Sequence, residues 1–179
     1  MMIEKLIEDV IEREGGYSDD PADAGGETRF GITAAVARAQ GYRGAMRDLP
    51  LATAQAIYRT VYWSAPRLDA VAERAPDVAA ILFDTGVNMG LAVAIGFLQR
   101  ALNALNRGAR DYPDNAVDGR IGPATLAALT GYLAHRGPAG ETVLAKAIEA
   151  LRGERYVTLA ERRPADEAFL YGWLANRIG

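Results

Sequence analysis

Residues 3–33, IEKLIEDVIEREGGYSDDPADAGGETRFGIT, change character halfway along. The first half places Ile3, Leu6, Ile7, Val10 and Ile11 at helical spacing, the apolar stripe of an amphipathic helix. The next position on that stripe is Glu14, so a carboxylate stands where the pattern asks for another aliphatic side chain. Gly15-Gly16 follow at once, and glycine just past the last periodic residue is a helix stop signal. Glu14 is therefore expected to end the helix on its buried side. A carboxyl held against an apolar face loses hydration in its charged form and keeps its proton more tightly, which suits a general acid.

The second half, from Tyr17 to Thr33, is too rich in Gly, Asp, Ser and Pro to be helical. Its glycines permit tight turns or a short hairpin. Asp19, Asp20, Asp23, Glu27 and Thr28 stand between them. A calcium loop would need a different ligand spacing, so no metal is expected here.

The wider composition narrows the function. The 179 residues are half hydrophobic, enough for a buried core, and 20 basic against 23 acidic side chains leave a net charge of −3. A nucleic-acid binder would show a basic patch, and none is visible. There is no cysteine, hence no disulfide framework and no thiolate metal site. The single histidine, His135, lies in the segment AHRGPAG and is expected in a solvated loop. The N-terminus lacks the basic and apolar regions of a secretory signal, and no run of about 18 apolar residues is present to span a membrane. Synthesis in the cytoplasm without an export route encoded in this sequence is the expectation.

Beyond residue 33 the chain reads as helices. Thr33 is placed to cap a helix starting at Ala34 and ending near Gly41. Leu51 to Trp63 is helical, with Pro66 as a break, and its Tyr58 and Trp63 read as core rings or as the lining of a sugar groove. Ala75-Pro76-Asp77 opens the longest pattern, to be broken at Gly90 or Gly96. Within it Asp84 and Asn88, four apart, share a face among apolar neighbours, and are either satisfied internally or turned into a cleft. Pro123 is placed as the first residue of a helix, Glu141 to Arg162 is amphipathic, and a last helix presents Phe169, Leu170, Trp173 and Leu174. No internal repeat and no long strand emerge. The class is mainly α with a small hairpin or glycine-rich loop after the first helix.

One constellation can do chemistry. Breaking a glycosidic bond needs an acid to protonate the departing oxygen, and a second group on the far side of the sugar to orient water or stabilise the cation. Glu14, with Asp23 nine residues on in a loop able to fold back, can divide those roles. The Thr28 hydroxyl can help hold the water. Hydrolysis of this kind needs no cofactor. The plainer reading is that Asp in a Gly-rich loop caps turns.

These residues also carry a resemblance. Glu14-Gly15-Gly16-Tyr17, then Asp20-Pro21, Asp23, Gly25-Gly26, Thr28 and Phe30-Gly31-Ile32-Thr33, closely resemble the EGGY signature of the glycoside hydrolase family 108 muramidases. That family includes phage endolysins and proteins once labelled secretion activators. The resemblance continues through Asp84, Asn88, Gly90, Leu98 to Asn103, Val117-Asp118-Gly119, Ile121-Gly122-Pro123 and Thr125-Leu126, and so covers nearly the whole chain. It implies a lysozyme-like helical fold, with a catalytic segment over 1–92 and a predicted peptidoglycan-binding segment over 93–179, packed as one unit. It implies N-acetylmuramidase activity on the β-1,4 bond between N-acetylmuramic acid and N-acetylglucosamine, with Glu14 as the acid. The family is similar to phage-type lysozymes, where an Asp or Cys follows the Glu by nine residues and a Thr follows six later. Asp23 matches that interval and Thr28 falls one residue short, position 29 being Arg29. Tyr17 is expected to pack over the helix end or touch sugar, and Asp84 and Asn88 to line the opposite cleft wall. The partner expected is a peptidoglycan glycan strand, reached by a monomer through a separate holin or export partner, with action in the periplasm or cell wall. A non-catalytic wall-binding or secretion module and a lytic transglycosylase, which would leave Asp23 dispensable, are the alternatives.

Overall fold

A computed structural model describes residues 2–19 and 26–178 of the chain. They form two compact units that meet in sequence at Ala65 and Pro66. The architecture is mainly helical, as the periodicity predicts, with a single small sheet among the described residues.

In the first unit, α1 (Met2–Glu14) buries Ile3, Ile7 and Val10 and ends at Glu14. Gly15, at φ +76°, closes the last turn by donating to the Ile11 carbonyl at 3.2 Å. A three-stranded antiparallel meander follows: β1 (Tyr17–Ser18), β2 (Thr28–Arg29) and β3 (Ile32–Thr33). Tyr17 pairs with Arg29 and Ser18 with Thr28; on the other edge Arg29 pairs with Ile32 and Thr28 with Thr33. Two residues, Phe30 and Gly31, connect β2 to β3, and both have positive φ, 52° and 73°. That is the backbone of a tight hairpin whose twist matches its strands. Ile32 anchors the sheet, being 1% exposed.

α2 (Ala34–Ala39) starts as predicted, with the Thr33 hydroxyl accepting from the Val36 amide at 3.3 Å. α3 (Leu51–Ile57) begins after Pro50. It does not run on as a regular helix to Trp63. Tyr58–Ser64 instead forms a π-helical stretch, a wider coil that α1 packs against. Its Tyr58 and Trp63 are buried, which makes them core rings rather than the lining of a groove.

The second unit is built from α4 (Leu68–Ala72), α5 (Pro76–Met89), α6 (Leu91–Ala104), α7 (Pro123–Arg136), α8 (Gly140–Arg162) and α9 (Glu167–Arg177). The break between α5 and α6 falls at Gly90, at φ +91°, one of the two positions expected. Pro76 and Pro123 take the first helical turn, where a missing N–H costs nothing. α5, α6 and α8 pack against one another around Leu82, Phe83, Leu98, Leu102, Leu144 and Ile148. His135 sits in the last turn of α7 and is exposed, so it is solvated on a helix rather than in a loop. No described helix is long and apolar enough to cross a membrane.

Candidate active site

Glu14 is the last residue of α1 and it is exposed. This corrects the expectation of a carboxyl desolvated on the buried side of the helix. The helix stops there, Gly15 turns the chain away, and the aliphatic stripe ends one turn earlier. The stem of Glu14 is packed. A Cβ built on Gly31 would lie 2.9 Å from both Cβ and Cγ of Glu14, and 2.6 Å from the Tyr58 hydroxyl. The backbone of the hairpin turn thus forms a wall against which the glutamate stem and the phenol both rest, and only glycine fits there.

Behind that wall stand two tyrosines of the π-helical stretch. Tyr58 is fully buried, and its hydroxyl donates to the Phe30 carbonyl at 2.9 Å. Tyr62 is half-buried, its ring 5.5 Å from that of Tyr58 and tilted by 39°. Burial first, and the charge of Glu14 second, raise the pKa of both phenols above the usual tyrosine range. Both are therefore neutral hydroxyls across the physiological range. Sequence reasoning missed them as companions of Glu14. Their four-residue spacing was a signal, but nothing local tied it to residue 14.

The hairpin carries the other first-unit candidates. Tyr17, in β1, is exposed and donates to Glu27 Oε1 at 2.7 Å, with the Arg47 guanidinium 5.8 Å from its ring centre. That hydrogen bond is the main cause of its raised pKa. Thr28 lies in β2, part-exposed, in the strand that leads into the Phe30-Gly31 turn. Asp23 lies outside the described residues. The sheet therefore gathers Tyr17 and Thr28 beside the turn that supports Glu14.

Asp84 and Asn88 belong to the second unit, on α5. Asp84 forms an ion pair with the buried Arg152 of α8, and Arg177 Nη1 approaches it at 4.0 Å. Asn88, exposed near the end of α5, accepts from the Tyr156 hydroxyl at 2.7 Å. The Tyr156 ring in turn stacks on Trp173 of α9, 5.2 Å between centroids. Both residues tie α5 to α8, the first of the two readings open for them.

The Val117 to Leu126 segment is built quite differently. Gln99 of α6, 1% exposed, donates to Asp118 Oδ1 at 2.8 Å, to the Arg120 carbonyl at 3.0 Å and to Thr125 Oγ1 at 3.2 Å, and accepts from the Gly119 amide at 3.0 Å. Gly119, at φ +70°, passes so close to α6 that a Cβ would sit 2.8 Å from the Ala92 carbonyl oxygen. The motif is a turn locked onto a helix by one buried amide.

An exposed glutamate braced at a helix end beside a small hairpin, in a mainly helical chain, is consistent with a lysozyme-like fold. Residues 7–90 match the family model of glycosyl hydrolase 108, and residues 93–178 match that of the predicted peptidoglycan domain. The first half thus matches glycosyl hydrolase 108 and the second half the predicted peptidoglycan domain, and together they indicate a peptidoglycan-related hydrolase. Among solved structures it is similar to SagA of Brucella abortus, with a TM-score of 0.60 and 26% identity, over 94% of this chain and 95% of that one. No curated protein matches it.

Proposed function

We propose that the protein is an N-acetylmuramidase that hydrolyses the β-1,4 bond between N-acetylmuramic acid and N-acetylglucosamine. The observation that carries this is the placing of Glu14: an exposed carboxylate at a helix end, its stem set against Gly31 of the hairpin turn. Exposure lets a glycan reach the carboxyl, and the wall behind the stem limits where it points. Glu14 protonates the oxygen of the departing N-acetylglucosamine. Asp23 orients the water, or stabilises the cation, on the opposite face of the muramic ring, and the Thr28 hydroxyl helps hold that water. The hydroxide part of the water ends on the muramic anomeric carbon, and the remaining proton restores Glu14. Tyr17 contacts sugar from the edge of the sheet. Residues 1–92 act as the catalytic segment, while 93–179 bind wall. A bacteriolytic role follows, since a wall cut along its glycan strands yields to turgor.

Digestion of purified sacculi, with mass spectrometry of the products, tests the reading. New reducing N-acetylmuramic acid ends, lost in Glu14→Gln, are expected. Anhydro-muramyl ends would instead mean transglycosylation, and undiminished release by Glu14→Gln would remove Glu14 from the chemistry.

A further inference from the structure

We propose that Tyr58 is a positioning residue for Glu14, acting through the Phe30-Gly31 turn; this rests on Glu14 being the catalytic acid. Glu14 is exposed and its side chain has several rotatable bonds, so something must restrict it if the carboxyl is to meet a glycosidic oxygen reproducibly. One restraint is the Gly31 backbone, which lies against the Glu14 stem on the same side as the Tyr58 hydroxyl. That backbone is itself held in an unfavourable shape. Phe30 has φ +52°, a region where side-chain-bearing residues are disfavoured and which persists only when its surroundings enforce it. The enforcing contact on the interior side is the Tyr58 hydroxyl, which grips the Phe30 carbonyl from 28 residues away. On the outer side the Arg29 guanidinium lies 4.9 Å from the Phe30 ring centre. Tyr58 also opens the π-helical stretch, a rare backbone form that is frequent at functional sites, and that stretch packs on the helix ending in Glu14. Phenol, strained turn and acid thus form a chain of contacts in which each group fixes the next.

The plain alternative is that Tyr58 is a core ring whose hydroxyl merely needs an acceptor. Tyr58→Phe separates the two, since it keeps the ring and removes the grip. With the full chain on purified sacculi, the variant is expected to lose about 10- to 100-fold in kcat with KM within about twofold, while still unfolding cooperatively. In a Glu14→Gln background the same change is expected to cost nothing further. Unchanged kcat in the folded variant, or an equal extra loss in the Glu14→Gln background, would overturn the proposal. If Tyr58→Phe does not fold, adding Phe30→Gly relieves the turn strain. A folded double variant with low kcat then supports the proposal, and one with full kcat overturns it. Carbon-13 NMR of the Glu14 side chain keeps this distinct from the muramidase reading. Dispersed methylene signals that collapse toward averaged values in Tyr58→Phe support the positioning even if no sugar bond is cut, and signals unaltered by the substitution refute it.

Discussion

The Glu14 hairpin and the Asp118 turn are both glycine-rich and both polar, one in the glycosyl hydrolase 108 match and the other in the predicted peptidoglycan match, yet they are built in opposite senses. In the hairpin the polar groups face outward. Glu14 is exposed, Tyr17 and Glu27 bond across its surface, and the interior side is supplied by the phenol of Tyr58. In the Asp118 turn the polar groups face one another. A single buried amide, Gln99, satisfies a carboxylate, a hydroxyl, a carbonyl and a backbone N–H. These bonds tie the turn to α6, with the side chains of Asp118 and Arg120 at its exposed rim. A dense polar motif is therefore evidence of chemistry only where its groups remain turned to solvent; where they satisfy each other, it is architecture.

The comparison breaks first on activity. Glu14→Gln is expected to reduce glycan hydrolysis by about 1,000-fold, within the span that general acid catalysis supplies, and to leave the melting temperature unchanged within experimental error. Reducing-end release together with calorimetry checks both halves. A substantial loss of stability in this variant would make Glu14 architecture too.

Gln99→Leu is the mirror experiment. It removes four hydrogen bonds, one of them to the buried Thr125, so it should destabilise the second unit by about 3 kcal/mol, or lower its melting temperature by about 6–12 °C. The catalytic rate per folded molecule should stay as it was. Denaturant unfolding with parallel kinetics checks this, and a collapse of kcat in the folded variant would move the turn into the site.

Acid sharpens the contrast. The Gln99 amide chiefly, and the Arg120 backbone N–H next, hold the Asp118 carboxyl below its usual pKa, so the folded state favours its ionised form. The stability it contributes is complete above the ordinary carboxylate pKa of about 4 and disappears as pH falls through the lower folded value. Asp118→Asn, which keeps the acceptor oxygen and loses the titration, should flatten the acid limb of the unfolding curve. An acid limb identical to that of the parent would show that the lowered pKa has no weight in stability.

The smallest effect belongs to Tyr17→Phe. Its hydrogen bond to Glu27 lies at the surface, so stability should change by less than about 1 kcal/mol and KM by about two- to threefold if the ring touches sugar. Initial rates against sacculus concentration would show it.

Much of this was legible from residues alone, and for a shared reason. The stop of α1 at Gly15, the Thr33 cap, Pro76 and Pro123 in their first turns and the break at Gly90 are each set by atoms within one turn of the chain. The location of Glu14 at a helix end beside a small hairpin followed in the same way. The regular helix expected through Trp63 gave way from residue 58 onward to a π-helical stretch that packs on α1, a widening that helical periodicity does not encode. The burial expected for Glu14 failed because periodicity describes the direction of a side chain and not what lies opposite.

The sequence by itself determined most of the helix ends, the hairpin and the resemblance to a hydrolase family, since spacing, caps and glycine φ preferences act over a few residues. Tertiary structure alone decided that Glu14 is exposed with its stem on Gly31, that Tyr58 reaches the Phe30 carbonyl, that Gln99 locks the Asp118 turn, and that Asp84 meets Arg152. Those pairs stand 17, 28, 19 and 68 residues apart in the chain, and no local preference of either partner specifies the other.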